Sequence, residues 1–137
     1  MERKVSVNCF HHPSNAVFIN FQENENINNF DYEIFTDGLK FDAKVGAAFC
    51  VFHNNIEITS EVFCLSPLCS VFQSELIAIK QSIIYVKLKL ENDISISDNQ
   101  KIVICIYSDS QSVMSSLKQS NPTHPIVHEI KNLIKSL

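Results

Sequence analysis

The sequence lacks the strong positive charge by which a whole protein surface attracts nucleic acid or an acidic membrane. Its 137 residues carry 11 lysines and arginines against 15 aspartates and glutamates, a formal net charge of −4. Any contact with nucleic acid therefore has to come from a local basic patch. The sequence also lacks an apolar run of the roughly 18 residues that a membrane-spanning helix needs, and no apolar leader segment follows residues 2–4. We therefore expect a soluble, intracellular protein of the cytoplasm or nucleus, with no membrane partner.

Paired cysteine motifs are absent as well. The five cysteines are an odd number, none forms a Cys-x-x-Cys pair, and several lie inside apolar runs. This usage predicts small core residues in a reducing compartment rather than a disulfide framework. Cys9 lies close to His11 and His12, so a metal knuckle is conceivable, but no second ligand pair follows at zinc spacing. A solvated arm is the simpler interpretation of that segment.

The length and the hydrophobic content of 45% predict one domain with a real core. Residues 1–30 are interpreted as an N-terminal arm or linker, because residues 22–29 are rich in asparagine and have no apolar period. Short strands are conceivable at residues 5–7 and 16–21. The apolar pattern becomes regular from residue 31, so residues 31–137 are interpreted as the folded domain.

Three strands are predicted at the start of that domain. The first ends in Asp37 and turns on Gly38, the second covers residues 45–52, and the third covers residues 56–65 with an irregularity near Thr59. Short turns between them indicate an antiparallel meander. One of the two glycines, Gly46, lies inside the second strand, which suggests close approach of another backbone.

A long helix, a buried strand and two shorter helices are predicted next. Ser70 or Ser74 can cap the long helix, and its apolar stripe follows a 3.6-residue period at Leu76, Ile79, Ile83, Val86 and Leu90. Residues 102–107 form a continuous apolar run, which is typical of a parallel strand covered on both faces. Helices are expected over residues 110–119 and from Pro125 onward. The predicted fold class is α/β, with a mixed sheet of three antiparallel strands and then a parallel strand.

Three carboxylates lie in apolar surroundings: Asp37, Glu75 and Asp109. If the first and fourth strands are adjacent and parallel, the two aspartates fall on neighbouring strands, and the first turn of the long helix can bring Glu75 to the same edge. Carboxylates about 4 Å apart repel by about 4 kcal/mol per pair at an effective dielectric constant of 20. A hard divalent cation, Mg²⁺ or Mn²⁺, would offset that repulsion. The helix dipole alone is the simpler explanation for Glu75.

Four stretches in this order resemble the first three motifs of type 1 ribonuclease H, in the form found in non-LTR retrotransposon polyproteins. They are residues 34–38 (IFTDG), 46–48 (GAA), 70–79 (SVFQSELIAI) and 107–113 (YSDSQSV). The resemblance covers about residues 31–137. It implies a ribonuclease H-like fold and Mg²⁺-dependent cleavage of the RNA strand of an RNA–DNA hybrid.

The resemblance also implies roles for individual residues. Asp37, Glu75 and Asp109 match the family's first three metal-binding, catalytic carboxylates. Family members bind the hybrid largely through its shape and its 2′-hydroxyl groups. The substrate-binding candidates on this basis are Gly38, Leu39, Lys40, Gln73 and Ser110. Lys40 and Lys44 are candidates for phosphate contact, with a solvated turn as the simpler interpretation.

The sequence departs from the family pattern in two places. Leu39 stands where the family usually has serine or threonine. The family's fifth strand and terminal helix, which carry a loop histidine and a fourth acidic ligand, are missing before the sequence ends at Leu137. The domain is therefore interpreted as incomplete at its C-terminus. The open edge of the fourth strand is then expected to invite self-association.

Two further expectations follow from that departure. Glu129 is the one acid after Asp109 that could replace the missing ligand. It is expected to point outward or to pair with Lys131 or Lys135, so the chain is expected to be a weak or inactive nuclease. His124 and His128 share a helix face, with surface or cap roles favoured over a metal pair. The alternative function is a catalytically silent fragment that binds nucleic acid or a polyprotein partner.

Overall fold

This computed structural model describes residues 5–10, 19–20, 30–93, 102–119 and 121–137, the first two segments as backbone strands. Within them, six strands form one mixed sheet and three helices pack against it. The strands are β1 (Val5–Phe10), β2 (Ile19–Asn20), β3 (Tyr32–Phe41), β4 (Lys44–His53), β5 (Ile56–Leu65) and β6 (Ile102–Tyr107). The helices are α1 (Val71–Asn92), α2 (Gln111–Lys118) and α3 (Pro125–Lys135).

The order of strands across the sheet is β2-β1-β6-β3-β4-β5. The antiparallel meander of β3, β4 and β5 confirms the prediction, as does the parallel pairing of β6 with β3. A two-residue loop joins β4 to β5, and both of its residues, Asn54 and Asn55, have positive φ angles of 51° and 66°. Asparagine tolerates this left-handed conformation, which hairpin loops of the type I′ class require.

The prediction that the first strand ends at Asp37 and turns on Gly38 is wrong. Strand β3 continues to Phe41, and within it Asp37 pairs with Ala48 of β4. The turn comes later, at Asp42, whose φ angle is 55°. An aspartate tolerates that backbone conformation, so the hairpin does not need a glycine there.

The expectation of an open edge on the fourth strand is also wrong. Strand β1 pairs in parallel with β6 along its whole length, from Val5 opposite Ile102 to Phe10 opposite Tyr107. Backbone N–H and C=O groups of a buried strand need partners, and β1 supplies them. The segment interpreted as an arm therefore contributes a strand beside β6. Self-association through that edge is not supported, because the edges of this sheet are β2 and β5.

One hydrophobic core lies between the sheet and the helices. The predicted stripe of α1 is buried throughout, with every member at most 2% exposed. It joins alternate residues of the strands and the inward residues of α2 and α3: Tyr32, Ile34, Phe49, Val51, Ile102, Ile104, Ile106, Val113, Met114, Leu117, Val127 and Ile130. Among the described residues, no helix combines the length and the apolar content that a membrane crossing requires.

The start of α1 and its contact with α3 fix how the helices are placed. A capping box closes the N-terminus of α1: the Ser70 hydroxyl accepts from the Gln73 N–H, and the Gln73 side chain accepts from the Ser70 N–H. At the other contact, the Lys80 ammonium pairs with the Glu129 carboxylate at 2.5 Å. The expectation that Glu129 points outward is confirmed, since its side chain is 50% exposed, but its ion partner is Lys80 and not Lys131 or Lys135. Lys131 instead donates to the Gln119 carbonyl.

Candidate metal centre

The two aspartates of the candidate site lie just past the point where β3 and β6 stop pairing. The last paired residues are Phe35 and Tyr107, so Asp37 lies two residues further along β3 and Asp109 lies two residues past the end of β6. The Thr36 hydroxyl donates to the Tyr107 carbonyl at 3.2 Å and ties the two strands together at this point. Carboxyl ends of parallel strands are where open α/β sheets place their ligands.

The first turn of α1 packs directly against β3 at Gly38. A Cβ atom on Gly38 would lie 2.4 Å from Ser74 Oγ, 2.6 Å from Glu75 Cγ and 2.7 Å from Glu75 N. Only glycine allows this approach, so Gly38 serves helix packing rather than a turn. The close approach brings Glu75 beside the backbone that carries Asp37. At Gly46 a Cβ atom would meet only the Phe63 carbonyl, at an ordinary 3.5 Å, so the predicted close approach there is wrong.

The pKa values of Asp37 and Glu75 are both raised, in part by charges of the candidate site. Burial raises the pKa of Asp37, and the Asp109 carboxylate raises it further, against a hydrogen bond from the Gly38 backbone that lowers it. Burial also raises the pKa of Glu75; a hydrogen bond with the Ser110 side chain lowers it, and the charges of Asp109 and Asp37 raise it. The charge of Asp109 therefore acts on both Asp37 and Glu75, and the charge of Asp37 acts on Glu75.

The donor chemistry of this edge fits a hard divalent cation, because it offers carboxylate oxygens whose mutual repulsion a cation would relieve. In the part of the chain that the structure describes, however, no three His, Cys, Asp or Glu side chains are already arranged to hold an ion. The carboxylates of Asp37 and Asp109 are exposed and Glu75 is half-buried. The side chains would have to close around a cation. The distances predicted for a preformed centre therefore stay a prediction.

The candidate substrate residues fall into two groups. Leu39 is 63% exposed on β3, and Lys40 beside it is exposed as well. Gln73 and Ser110 are engaged in helix capping: the carbonyl oxygen of Gln73 closes the α1 box, and the Ser110 hydroxyl accepts from the Val113 N–H at 3.3 Å. Ser110 also acts on Glu75. Its position beside a candidate ligand is a positioning role that sequence reasoning missed.

Of the histidines singled out in the sequence, His124 and His128 lie among the described residues, whereas His11 and His12 do not. His124 caps α3: its Nδ1 accepts from the Ile126 N–H at 3.2 Å, and its ring meets the edge of Phe72. The prediction of a surface or cap role is confirmed for this residue. His11 and His12 lie outside the described residues, as does the Cys9 side chain, so the metal-knuckle interpretation is not addressed by the structure.

Aromatic contacts on the face of β3 opposite the hydrophobic core were not predicted. The Phe35 ring stacks on Tyr107 with centroids 4.5 Å apart, and the Tyr107 hydroxyl donates to the Glu33 carboxylate at 2.9 Å. These contacts hold the neighbouring ends of β3 and β6 together, directly before the two aspartates. The alternation of acidic and aromatic residues along β3 is the sequence signal that could have revealed them.

No family model matches this chain, and no curated protein matches it.

Proposed function

We propose that this chain is a Mg²⁺-dependent nuclease that cleaves the RNA strand of an RNA–DNA hybrid. One observation carries the proposal: Asp37 of β3, Glu75 of α1 and Asp109 just past β6 come from three separate parts of the chain, and the charge of Asp109 raises the pKa values of both Asp37 and Glu75. The motif order that resembles type 1 ribonuclease H supports the same function and supplies the substrate class.

The roles of the residues follow from their positions. Asp37 and Asp109 would bind the ion from adjacent strands, and Glu75 would bind it from the first turn of α1. Ser110 orients the Glu75 carboxylate through their hydrogen bond, and Gly38 keeps the helix close enough for Glu75 to reach. When bound, Mg²⁺ supplies Lewis-acid stabilisation of the charge that develops on the scissile phosphate.

We expect the activity to be weak. The resemblance implies a fourth acidic ligand, but no other acid in the described residues contributes to the raised pKa values of Asp37 and Glu75. Glu129 is held by Lys80 between α1 and α3. One or two carboxylates suffice for one Mg²⁺, whereas paired-ion catalysis needs more ligands. Each loss of about 1.4 kcal/mol of transition-state stabilisation lowers the rate about tenfold.

The test is a cleavage assay on a fluorescently labelled RNA–DNA hybrid with Mg²⁺, and with EDTA as the blank. We expect slow, Mg²⁺-dependent cleavage of the RNA strand that Asp109→Asn abolishes. Glu91→Gln is the matched control, since it removes one carboxylate at the exposed end of α1 and should leave cleavage unchanged. Cleavage that persists in Asp109→Asn would contradict the proposed site.

The second candidate function is a catalytically silent fragment that binds nucleic acid or a partner protein. It is favoured by the departure at Leu39, which stands where the resembling family usually has serine or threonine. Fluorescence anisotropy with the same hybrid separates the two functions. Binding without cleavage, unchanged by Asp109→Asn, supports the silent fragment.

A further inference from the structure

Among the strands that the structure describes, β5 is a long edge strand with no strand paired to its outer side. Strand β5 has ten residues and pairs with β4 on one side only. A bulge interrupts the pairing near its start, but from Thr59 to Leu65 the register is regular. A free edge presents a row of backbone N–H and C=O groups that an extended chain can pair with.

A groove of about 310 Å³ lies beside this edge. Its apolar lining includes Phe35, Cys50 and Val62. Two of these side chains are accessible to solvent, since Phe35 is 39% exposed and Val62 is 78% exposed. Phe35 alternates with the core residue Ile34 along β3, so it belongs to the face opposite the core. We call this feature the β5 groove. It is an apolar surface that a partner could cover.

The charge around the β5 groove is of one sign. Asp37 lies on the same face as Val62, since both pair with Ala48; Glu57 and Glu61 are further acids of the lining, Glu61 with its side chain toward the other face, and the lining includes no lysine, arginine or histidine. Glu57 also acts on the groove residue Cys50, whose pKa is raised first by burial and then by this carboxylate. Electrostatic complementarity therefore favours an occupant that is both cationic and apolar.

The alternation of side chains along β5 specifies the pattern of that occupant. Val62 pairs with Ala48, and Glu61 pairs with the core residue Phe49, so these two neighbours project to opposite faces of the sheet. A strand added beside β5 would place alternate residues next to each of them. An apolar residue would meet Val62 and a basic residue would meet Glu61.

A second copy of the chain is a poor occupant. Antiparallel self-pairing of β5 centred on Thr59 would place Glu57 of each copy opposite Glu61 of the other. Like charges directly opposite one another destabilise a strand pair. In that register, a segment of a different sequence with basic residues opposite these glutamates pairs better than a second copy.

We propose that the β5 edge and the β5 groove bind an extended segment of another protein in which basic and apolar residues alternate. Main-chain hydrogen bonds to residues 59–65 would add the segment to the sheet. The apolar side chains would cover Val62 and the open end of the groove, and the basic side chains would pair with Glu61. This surface adjoins the proposed metal site, because Asp37 lines the groove as well, but strand addition along residues 59–65 does not require that site to bind an ion.

The test uses the full chain and three fluorescein-labelled heptapeptides in fluorescence anisotropy. The first alternates lysine and valine, the second alternates glutamate and valine, and the third carries proline at the centre of the lysine–valine pattern. We expect the first peptide to bind and the other two to bind at least about fivefold more weakly, because one loses the charge match and the other a strand hydrogen bond. Equal binding of the proline peptide would overturn strand addition.

Variants of β5 locate the binding. Glu61→Gln and Val62→Lys should each weaken the lysine–valine peptide about threefold to fivefold, and circular dichroism should show that both fold, since these side chains are exposed. Glu91→Gln removes the same charge from α1 and should leave binding unchanged. An equal loss in Glu91→Gln would show general charge attraction and overturn the proposal. A dimer in sedimentation velocity that Val62→Lys abolishes would make a second copy the occupant, which also overturns it.

Discussion

The two faces of the sheet are built from the same strands but are finished differently. Along β3, Ile34 is fully buried in the core while the next residue, Phe35, is 39% exposed. The core face meets α1, α2 and α3 in one continuous cluster. The opposite face of β3, β4 and β5 keeps apolar and acidic side chains within reach of a partner.

This difference separates stability from function in the molecule. Residues on the core face exclude water and hold the elements together, so their replacement should act on folding. Residues on the opposite face and at the candidate metal site bury less of their surface on folding, so their replacement should act on binding. Gly38 lies where the core face meets the candidate metal site. It packs against α1 on the core face, and the residue before it is the candidate ligand Asp37.

The largest expected effect is on the core face. Ile104→Ala removes a side chain that is 1% exposed in the central strand, so it should lower the free energy of unfolding by about 2–5 kcal/mol. Val62→Ala, also in a strand but 78% exposed, should cost less than about 1 kcal/mol. Urea denaturation measures both. Equal losses of unfolding free energy would mean that Val62 is buried in solution, contrary to its exposure here.

The next effect concerns the boundary itself. Gly38→Ala forces a Cβ atom to within 2.7 Å of the Glu75 backbone nitrogen, which cannot move without shifting α1. We expect a loss of about 1–3 kcal/mol, as for overpacking. Gly46→Ala is the matched control, because its nearest neighbour is 3.5 Å away. If Gly46→Ala destabilises the protein as much as Gly38→Ala, the contact with α1 does not explain the glycine.

Most of the elements could be predicted because their signals are local. The 3.6-residue stripe of α1, the apolar run of β6 and the proline that begins α3 each depend on neighbouring residues, and the structure has all three. The end of β3 was misjudged because an Asp-Gly pair usually marks a turn. Here the helix needs the glycine and Asp42 makes the turn.

The pairing of β1 with β6 could not be read from the sequence, because strand partners far apart in the chain leave no local pattern. The same holds for the Lys80–Glu129 ion pair, which depends on how α1 and α3 cross. The three candidate carboxylates could be singled out as acids in apolar stretches. Their mutual electrostatic effect, and the hydrogen bond of Ser110 with Glu75, required the register of β3 and β6 and the approach of α1.

Mg²⁺ should stabilise the folded chain only by binding to Asp37, Glu75 and Asp109. At a concentration tenfold above the dissociation constant, binding to the folded state adds about 1.4 kcal/mol. Asp37→Asn should stabilise the metal-free protein, because it removes a repelling charge, and should reduce the stabilisation by Mg²⁺. Thermal melts with EDTA and with Mg²⁺ measure both changes. An equal Mg²⁺ response in the wild type, Asp37→Asn and the Glu91→Gln control would show that Asp37 is not a ligand.

The smallest expected effect is the pH dependence of that metal-free stability. The pKa values of Asp37 and Glu75 are raised above their ordinary values of 3.8 and 4.5, so the folded state holds these protons more tightly than the unfolded state. The associated stability is complete below the ordinary pKa values and is lost as the pH rises through the raised ones. Solvent screening keeps the effect small at these partly exposed groups.

Urea denaturation in EDTA across this pH range, with Asp37→Asn as the comparison, isolates the contribution of Asp37 to the pH dependence of stability. The wild type should lose stability relative to Asp37→Asn as the pH rises, because only the wild type acquires the second negative charge beside Asp109. The same series in Mg²⁺ should show a smaller difference, since the cation offsets that charge. A difference between wild type and variant that stays constant with pH would mean that Asp37 and Asp109 do not interact in solution.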